Sequence, residues 1–294
     1  MVVEDLRHLA AVRVEHEPYP FGIHGLIVPM FTPVRYEDGN VVIDTEKDVA
    51  LVDNLIRGGA DVIFILGNAG MFQKLTFEQK LTHIDTVIGA AAGRIPVVVG
   101  VSSPDIYEAR RLTKESEARG ASGVVFMPLY GKGDPVTNTL TIIRTVRDIP
   151  VVFYNNPDIQ PDNASLSIDF LKKFAGDPRV IGVKNSTPDM ETYTQMVAEL
   201  TSDKFHVFMG YAPNIFAAIE LLREKKITEF AGCVPVQANL NPQIFAKLLR
   251  MDGSVDDPQF VAFMRRFKHT KYVLEMMVKL GRVDRATYDV FTAA

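Results

Sequence analysis

Cysteine is almost absent from this sequence: Cys233 stands alone among 294 residues. A lone cysteine excludes an intrachain disulfide and a zinc site built on several thiolates, and it fits a reducing cytoplasm. Long apolar runs are missing too. No stretch of about 18 apolar residues occurs, so no membrane span is expected. Neither sign of charge dominates. The formal net charge is −4, which supplies no electrostatic reason to expect nucleic acid as a partner. The six histidines, at positions 8, 16, 24, 83, 206 and 269, show no ligand spacing within a helix turn or strand end, so no metal centre is expected. No Gly-x-Gly-x-x-Gly follows the first strand, which weighs against a dinucleotide-binding fold, and no Walker-type loop occurs. Residues 1–21, interrupted by Glu4, Asp5, Arg7, Arg13, Glu15 and Glu17, lack the unbroken apolar segment of a signal peptide and read as a surface extension ahead of the fold.

What the sequence does contain is ordinary for a soluble globular protein: 47% apolar and 23% charged residues. Its apolar residues fall into short runs rich in Val and Ile, at 25–31, 61–66, 95–100, 123–127, 149–154, 180–184, 205–209 and 229–234. Such runs read as strands buried on both faces, as a parallel sheet requires. Between them lie helical segments with recognisable starts, among them Asp44, Thr76 and Ser167 as N-caps. Glu37-Asp38-Gly39-Asn40 reads as a turn. Strand starts recur roughly 23–36 residues apart, the length of a βαβ repeat. Eight such units predict an α/β fold, a (β/α)8 TIM barrel, with an open doubly wound sheet as the alternative. The expected organisation is an extension over 1–21, the barrel core over 22–240 and C-terminal helices over 241–294. From about Pro258 the chain reads as two helices broken near Gly281.

In a barrel of this kind the active site lies at the C-terminal ends of the strands. Those ends carry Thr32, Asn68, Tyr130, Tyr154, Lys184, Gly210 and Val234. Lys184 closes the apolar run Val180-Ile181-Gly182-Val183. Lysine is almost never fully buried unless something holds it. Partial desolvation disfavours an ammonium, and a neutral amine can attack a ketone to form a Schiff base. A lysine snorkelling from a strand end is the plainer alternative. Tyr154 ends the preceding strand, where strand spacing would bring phenol and amine together. A positioned phenol can deliver and remove the protons that Schiff-base and aldol chemistry require. Tyr130 sits in a glycine-flanked loop and is either a site residue or an interface aromatic. Gly67-Asn68-Ala69-Gly70 reads as a tight turn just before a helix, whose N–H groups could hold a carboxylate; a plain βα turn is the alternative.

The glycine turn, Pro128-Leu129-Tyr130, Phe153-Tyr154-Asn155-Asn156-Pro157 and Gly182-Val183-Lys184 together resemble the dihydrodipicolinate synthase / N-acetylneuraminate lyase family of class I, pyruvate-handling aldolases. The resemblance runs from about Gly22 to the C-terminal helices. It implies that Lys184 forms the Schiff base, that Tyr154 is the general acid/base, and that Gly67, Asn68, Ala69 and Gly70 bind the pyruvate carboxylate; Gly210 and Val234, from their place at strand ends, are expected to bind substrate too. By the same resemblance Tyr130 reaches into a neighbouring subunit, implying a homo-oligomer, a dimer or commonly a homotetramer. No metal or separate cofactor is implied, since the covalent Schiff base on Lys184 serves as electron sink. Two departures stand out. The family turn usually reads Gly-Thr-Thr-Gly-Glu, whereas Asn68 and Ala69 carry no hydroxyl. Members that take aspartate semialdehyde carry an arginine after Tyr-Asn-x-Pro, where Asp158-Ile159-Gln160 offers no cation.

The expected activity is therefore a carbon–carbon lyase that cleaves or forms a 2-keto-3-deoxy sugar acid, with a 2-oxo acid and an aldehyde as small-molecule partners. Asn68, Asn155, Asn156 and Asn185 offer hydrogen bonds suited to a hydroxylated substrate. The alternatives are dihydrodipicolinate synthase itself, a sugar-acid dehydratase, and a relative that binds a keto acid without turning it over.

Overall fold

The Val/Ile runs do form parallel strands, and each is followed by a helix that returns the chain to the opposite end of the sheet. The computed structural model describes residues 20–224, 231–249 and 258–293. In order these hold β1 (Gly25–Pro29), β2 (Val34–Glu37), β3 (Asn40–Ile43), α1 (Thr45–Arg57), β4 (Val62–Ile65), α2 (Phe77–Ala91), β5 (Val97–Gly100), α3 (Ile106–Ala118), β6 (Gly123–Phe126) and α4 (Pro135–Ile143). Then come β7 (Val151–Asn155), α5 (Ile168–Lys172), β8 (Val180–Asn185), α6 (Met190–Leu200), β9 (His206–Met209), α7 (Ile215–Glu224), β10 (Gly232–Cys233), α8 (Pro242–Leu249), α9 (Pro258–Arg266), α10 (Thr270–Lys279) and α11 (Arg285–Thr292). Most of the extension read over 1–21, and the start of the eighth strand read from Glu229, lie outside the described residues.

Closure decides the fold. β1 pairs in parallel with both β4 and β10, so the order β1-β10-β9-β8-β7-β6-β5-β4 has no free edge. An open sheet would leave two edges, and that alternative is excluded. Every residue of β4 through β9 is buried. Burying one such side chain contributes roughly 1.5–3 kcal/mol, so strands of this length hold without long hydrogen-bond ladders. The N-caps behave as their residue types dictate. Asp44, Thr76 and Ser167 each accept from a backbone N–H of the first turn, and Thr76 with Gln79 completes a reciprocal capping box.

Two local features differ from expectation. The segment around Glu37–Asn40 is a hairpin, not a bare turn: β2 and β3 pair antiparallel across Asp38-Gly39, both at positive φ. That is the two-residue turn which matches strand twist. From Pro258 onward the described residues form three helices, where two were expected. The break at Gly281 is present (φ 67), but a second falls at Phe267–His269. No glycine or proline marks it, and the apolar spacing runs on through it, so periodicity alone reads one helix.

Candidate active site

The strand ends bring the sequence-singled residues together selectively. Tyr154 and Lys184 are register partners on β7 and β8. Phe64 lies on β4, diametrically across the barrel from β8. The Lys184 Nζ stands 3.8 Å from the Tyr154 ring centroid and 5.0 Å from that of Phe64. A side chain on one wall that touches the opposite wall points inward, so the amine faces the barrel interior. Lys184 is 6% exposed, and among the described residues it has no carboxylate partner. Aromatic faces hold it instead.

The backbone explains the spacing of the lysine motif. A Cβ on Gly182 would lie 2.2 Å from the His206 carbonyl oxygen, so only glycine lets β9 approach β8 two residues below the amine. Gly210, at the end of β9, is equally constrained. Its Cβ would stand 3.0 Å from Lys184 Cε, 2.9 Å from the Asn185 carbonyl oxygen and 2.3 Å from Ser186 Oγ.

The Tyr154 ring packs edge-on against Phe64, centroids 6.3 Å apart. Its hydroxyl oxygen accepts from Asn156 Nδ2 at 2.9 Å, which leaves the phenolic hydrogen free for another acceptor. Asn155 and Asn185, whose amides could have served a hydroxylated substrate, are fully buried and committed to each other. Asn155 Nδ2 donates to Asn185 Oδ1 at 2.8 Å and to Ser165 Oγ at 3.0 Å, while its Oδ1 accepts from the Leu166 N–H at 2.9 Å. These contacts clamp the strand ends that present Tyr154 and Lys184. Asn155→Ala should strand several buried groups and lower the unfolding free energy by about 2–3 kcal/mol. Urea unfolding checks this: the midpoint should fall at constant slope, and an unchanged midpoint would refute the clamp.

The glycine turn is placed differently from its reading. It does not abut a helix: α2 begins only at Phe77, after further turns, so a helix dipole cannot assist an anion there. Its backbone doubles back, with Leu66 and Met71 both left-handed (φ 54 and 56). Among the described residues, the N–H groups of Asn68, Ala69 and Gly70 donate to no protein acceptor. Gly67, Ala69 and Gly70 are buried and Asn68 half-buried. Tyr130 is half-buried against Phe72, just beyond that turn, with ring centroids 5.3 Å apart. Among the described residues it shares no hydrogen bond or ring stacking with Lys184 or Tyr154. Val234 is buried just after β10, its N–H donating to the Met209 carbonyl.

Thr32 donates to the Gly70 carbonyl at 2.8 Å. Three other residues escaped sequence reasoning. Phe64 reads as an ordinary core residue inside an apolar run. Ser186 lies beyond the strand, and its buried Oγ, beside Lys184, has no partner among the described residues. His83 looks like a helix residue without ligand spacing, yet it bonds both Thr32 and Asp48. Only the one-turn phase of α1 against α2 could have hinted at that pairing. Among the described residues no group of three or more His, Cys, Asp or Glu side chains could hold a metal ion, and no helix is long and apolar enough to cross a membrane.

Comparison with known proteins agrees with this geometry. Residues 22–256 match the model of the Dihydrodipicolinate synthetase family. A 4-hydroxy-tetrahydrodipicolinate synthase of Methanothermobacter thermautotrophicus is 27% identical, covering 88% of this chain and 87% of its own. A probable 2-dehydro-3-deoxy-D-pentonate aldolase of Escherichia coli is 28% identical over 71% of this chain and 70% of its own. The crystal structure of dihydrodipicolinate synthase from Aquifex aeolicus superposes with a TM-score of 0.77 at 25% identity, covering 89% of each chain.

Proposed function

This chain belongs to the dihydrodipicolinate synthetase family and is a pyruvate-dependent lyase of the class I aldolase type; from that premise we propose that Lys184 carries the Schiff base and Tyr154 moves its protons. The observation that carries this reading is the buried, inward-facing Lys184 amine, free of any carboxylate partner among the described residues, 3.8 Å from the Tyr154 ring.

The steps follow from the groups present. The amine attacks C2 of pyruvate, and the carbinolamine loses its hydroxyl as water with a proton from the Tyr154 phenol. Asn156, donating to that oxygen, stabilises the phenolate left behind. The iminium draws electrons from C3; loss of a C3 proton gives the enamine, which attacks an aldehyde carbon. In the reverse direction the phenolate removes the proton of the substrate's C4 hydroxyl and the C3–C4 bond breaks. The unpaired N–H groups of Asn68, Ala69 and Gly70 suit the carboxylate. Gly210 leaves the room beside Lys184 that an adduct needs, and Val234 closes the wall behind it. Tyr130 belongs to the same mouth through Phe72, and with it a dimer or tetramer in a cytoplasmic setting.

For the second substrate we favour the aldehyde half of a 2-keto-3-deoxy sugar acid. Asp158, Ile159 and Gln160, which follow the Tyr154 strand, provide no cation for a second carboxylate, and the Gln160 carboxamide is buried with neither atom paired among the described residues. The similarity to 4-hydroxy-tetrahydrodipicolinate synthases favours aspartate semialdehyde instead. Borohydride reduction in saturating pyruvate should place one pyruvyl adduct on the Lys184 peptide. Polyhydroxylated aldehydes should then be consumed with pyruvate faster than aspartate semialdehyde. Faster condensation with aspartate semialdehyde would favour the synthase. Loss of water from a sugar acid without carbon–carbon cleavage would mark a dehydratase, and an adduct with no turnover a binding relative.

A further inference from the structure

Behind the glycine turn lies a second polar constellation that the lyase chemistry does not use. Asp48 on α1 and His83 on α2 are both fully buried, with Asp48 Oδ2 and His83 Nδ1 2.8 Å apart. The other ring nitrogen, Nε2, lies 3.2 Å from Thr32 Oγ1, and that hydroxyl donates to the Gly70 carbonyl oxygen at 2.8 Å. All three side chains show essentially no exposure, so the chain of contacts runs through the protein from the outer helices to the turn.

Hydrogen-bond polarity fixes its direction. A carbonyl oxygen only accepts, so Thr32 must spend its single hydroxyl hydrogen on Gly70. Thr32 can then meet His83 only as acceptor, so Nε2 must carry a hydrogen. What remains is one proton held between Nδ1 and Oδ2. Asp48 Oδ1 is buried without a partner among the described residues, which disfavours a full carboxylate charge there. Burial accordingly pushes the Asp48 carboxyl above its ordinary range, against the pull of His83. One hydrogen between Nδ1 and Oδ2 closes the chain from Asp48 to Gly70.

Burying polar groups costs free energy that their hydrogen bonds must offset, and Asp48 Oδ1 is left without one among the described residues. What the chain of contacts holds is the last carbonyl of the turn whose own residues have lost their anchoring hydroxyls: Asn68 and Ala69 cannot brace that loop by side chain. We propose that Asp48, His83 and Thr32 form a positioning relay that fixes the Gly70 peptide and so aims the N–H groups of the turn at the carboxylate of the 2-oxo acid. This rests on the reading of the turn as the carboxylate subsite. None of the three touches substrate; they act through the backbone they hold.

The test compares pyruvate with methyl pyruvate, which keeps the ketone and lacks the charge. Half-saturation of borohydride trapping is measured for each. Thr32→Val removes the hydroxyl with little change of shape and should raise the pyruvate value about tenfold, the scale of one hydrogen bond serving a charged group, while leaving methyl pyruvate within about twofold. Thr32→Ser, which keeps the donor, should restore it. Asp48→Leu should raise the pyruvate value by about three- to tenfold, whereas Asp48→Asn, whose carboxamide can still hydrogen-bond Nδ1, should stay within about twofold. Equal shifts for the two ketones, or none, in Thr32→Val would overturn the relay. Should that variant fail to fold, the Asp48→Leu and Asp48→Asn pair decides by the same ratio. A wild-type protein that does not prefer pyruvate to methyl pyruvate would remove the carboxylate subsite itself and the relay with it. A wild type that does prefer pyruvate, with variants that keep the preference, would remove the relay alone.

Discussion

Lys184→Ala is expected to yield no borohydride-trapped adduct and to lower kcat/KM by at least about four orders of magnitude, the scale on which removal of a covalent nucleophile is felt. The protein should still fold. Truncating one member of a buried ion pair strands the other, but Lys184 has no carboxylate partner among the described residues; its surroundings are the faces of Tyr154 and Phe64. Loss of the amine therefore leaves a cavity and no orphaned charge. Lys184→Arg separates charge from chemistry. It keeps a long nitrogen-bearing side chain at the rings, yet a guanidinium stays protonated and cannot attack a ketone, so it should be as inactive as the alanine variant. The measurement is mass analysis of the reduced protein beside steady-state turnover. Retention of the adduct, or of more than about one part in a hundred of the rate, would dismiss Lys184 as the nucleophile.

Tyr154→Phe should come next in size, with kcat lowered by about 10²–10³-fold, the range assigned to one positioned acid/base group. The substitution is unusually clean. The ring keeps its contacts with Lys184 and Phe64, preserving the packing that orients the amine. Only the hydroxyl goes, and with it the acceptor for Asn156 Nδ2, a stability loss of about 1 kcal/mol. Trapping should still occur, more slowly, because the nucleophile is intact and only proton delivery is lost. Single-turnover trapping rates at saturating pyruvate distinguish the outcomes. A rate within a few-fold of wild type would assign the proton to another donor, with the unpaired Ser186 hydroxyl the first to examine.

How much of this was legible beforehand follows from which interactions are local. The alternation of Val/Ile runs with capped helices is written along the chain, because burial on both faces demands continuous apolar residues and a helix start demands a capping oxygen. The barrel strands were therefore readable, as were Asp44, Thr76 and Ser167 at the helix starts. The short hairpin β2–β3 and the break at Phe267–His269 were not. One has strands of only four residues, and the other lacks any breaker residue to mark it.

Lys184 and Tyr154 belong to the readable part, since a polar residue that ends a buried strand is conspicuous and consecutive parallel strands must lie side by side. The function of the asparagines does not. Asn155 and Asn185 look like substrate ligands in one dimension, and they became a clamp only when strand ends 30 residues apart met. The turn at Gly67–Gly70 was recognisable as a turn, but its separation from α2 and its support from Thr32 were not. Sequence alone thus determined the eightfold alternation of strand and helix, the candidate pair Lys184 and Tyr154 and the class of chemistry, because each depends on pattern along a strand or between successive ones. Tertiary structure alone decided closure, the inward aim of the amine toward Phe64 and the partnership of Asp48, His83 and Thr32. Those depend on distances between segments that no periodicity records, and hydrogen-bond direction and steric approach act only once the chain has brought such segments within a few ångströms.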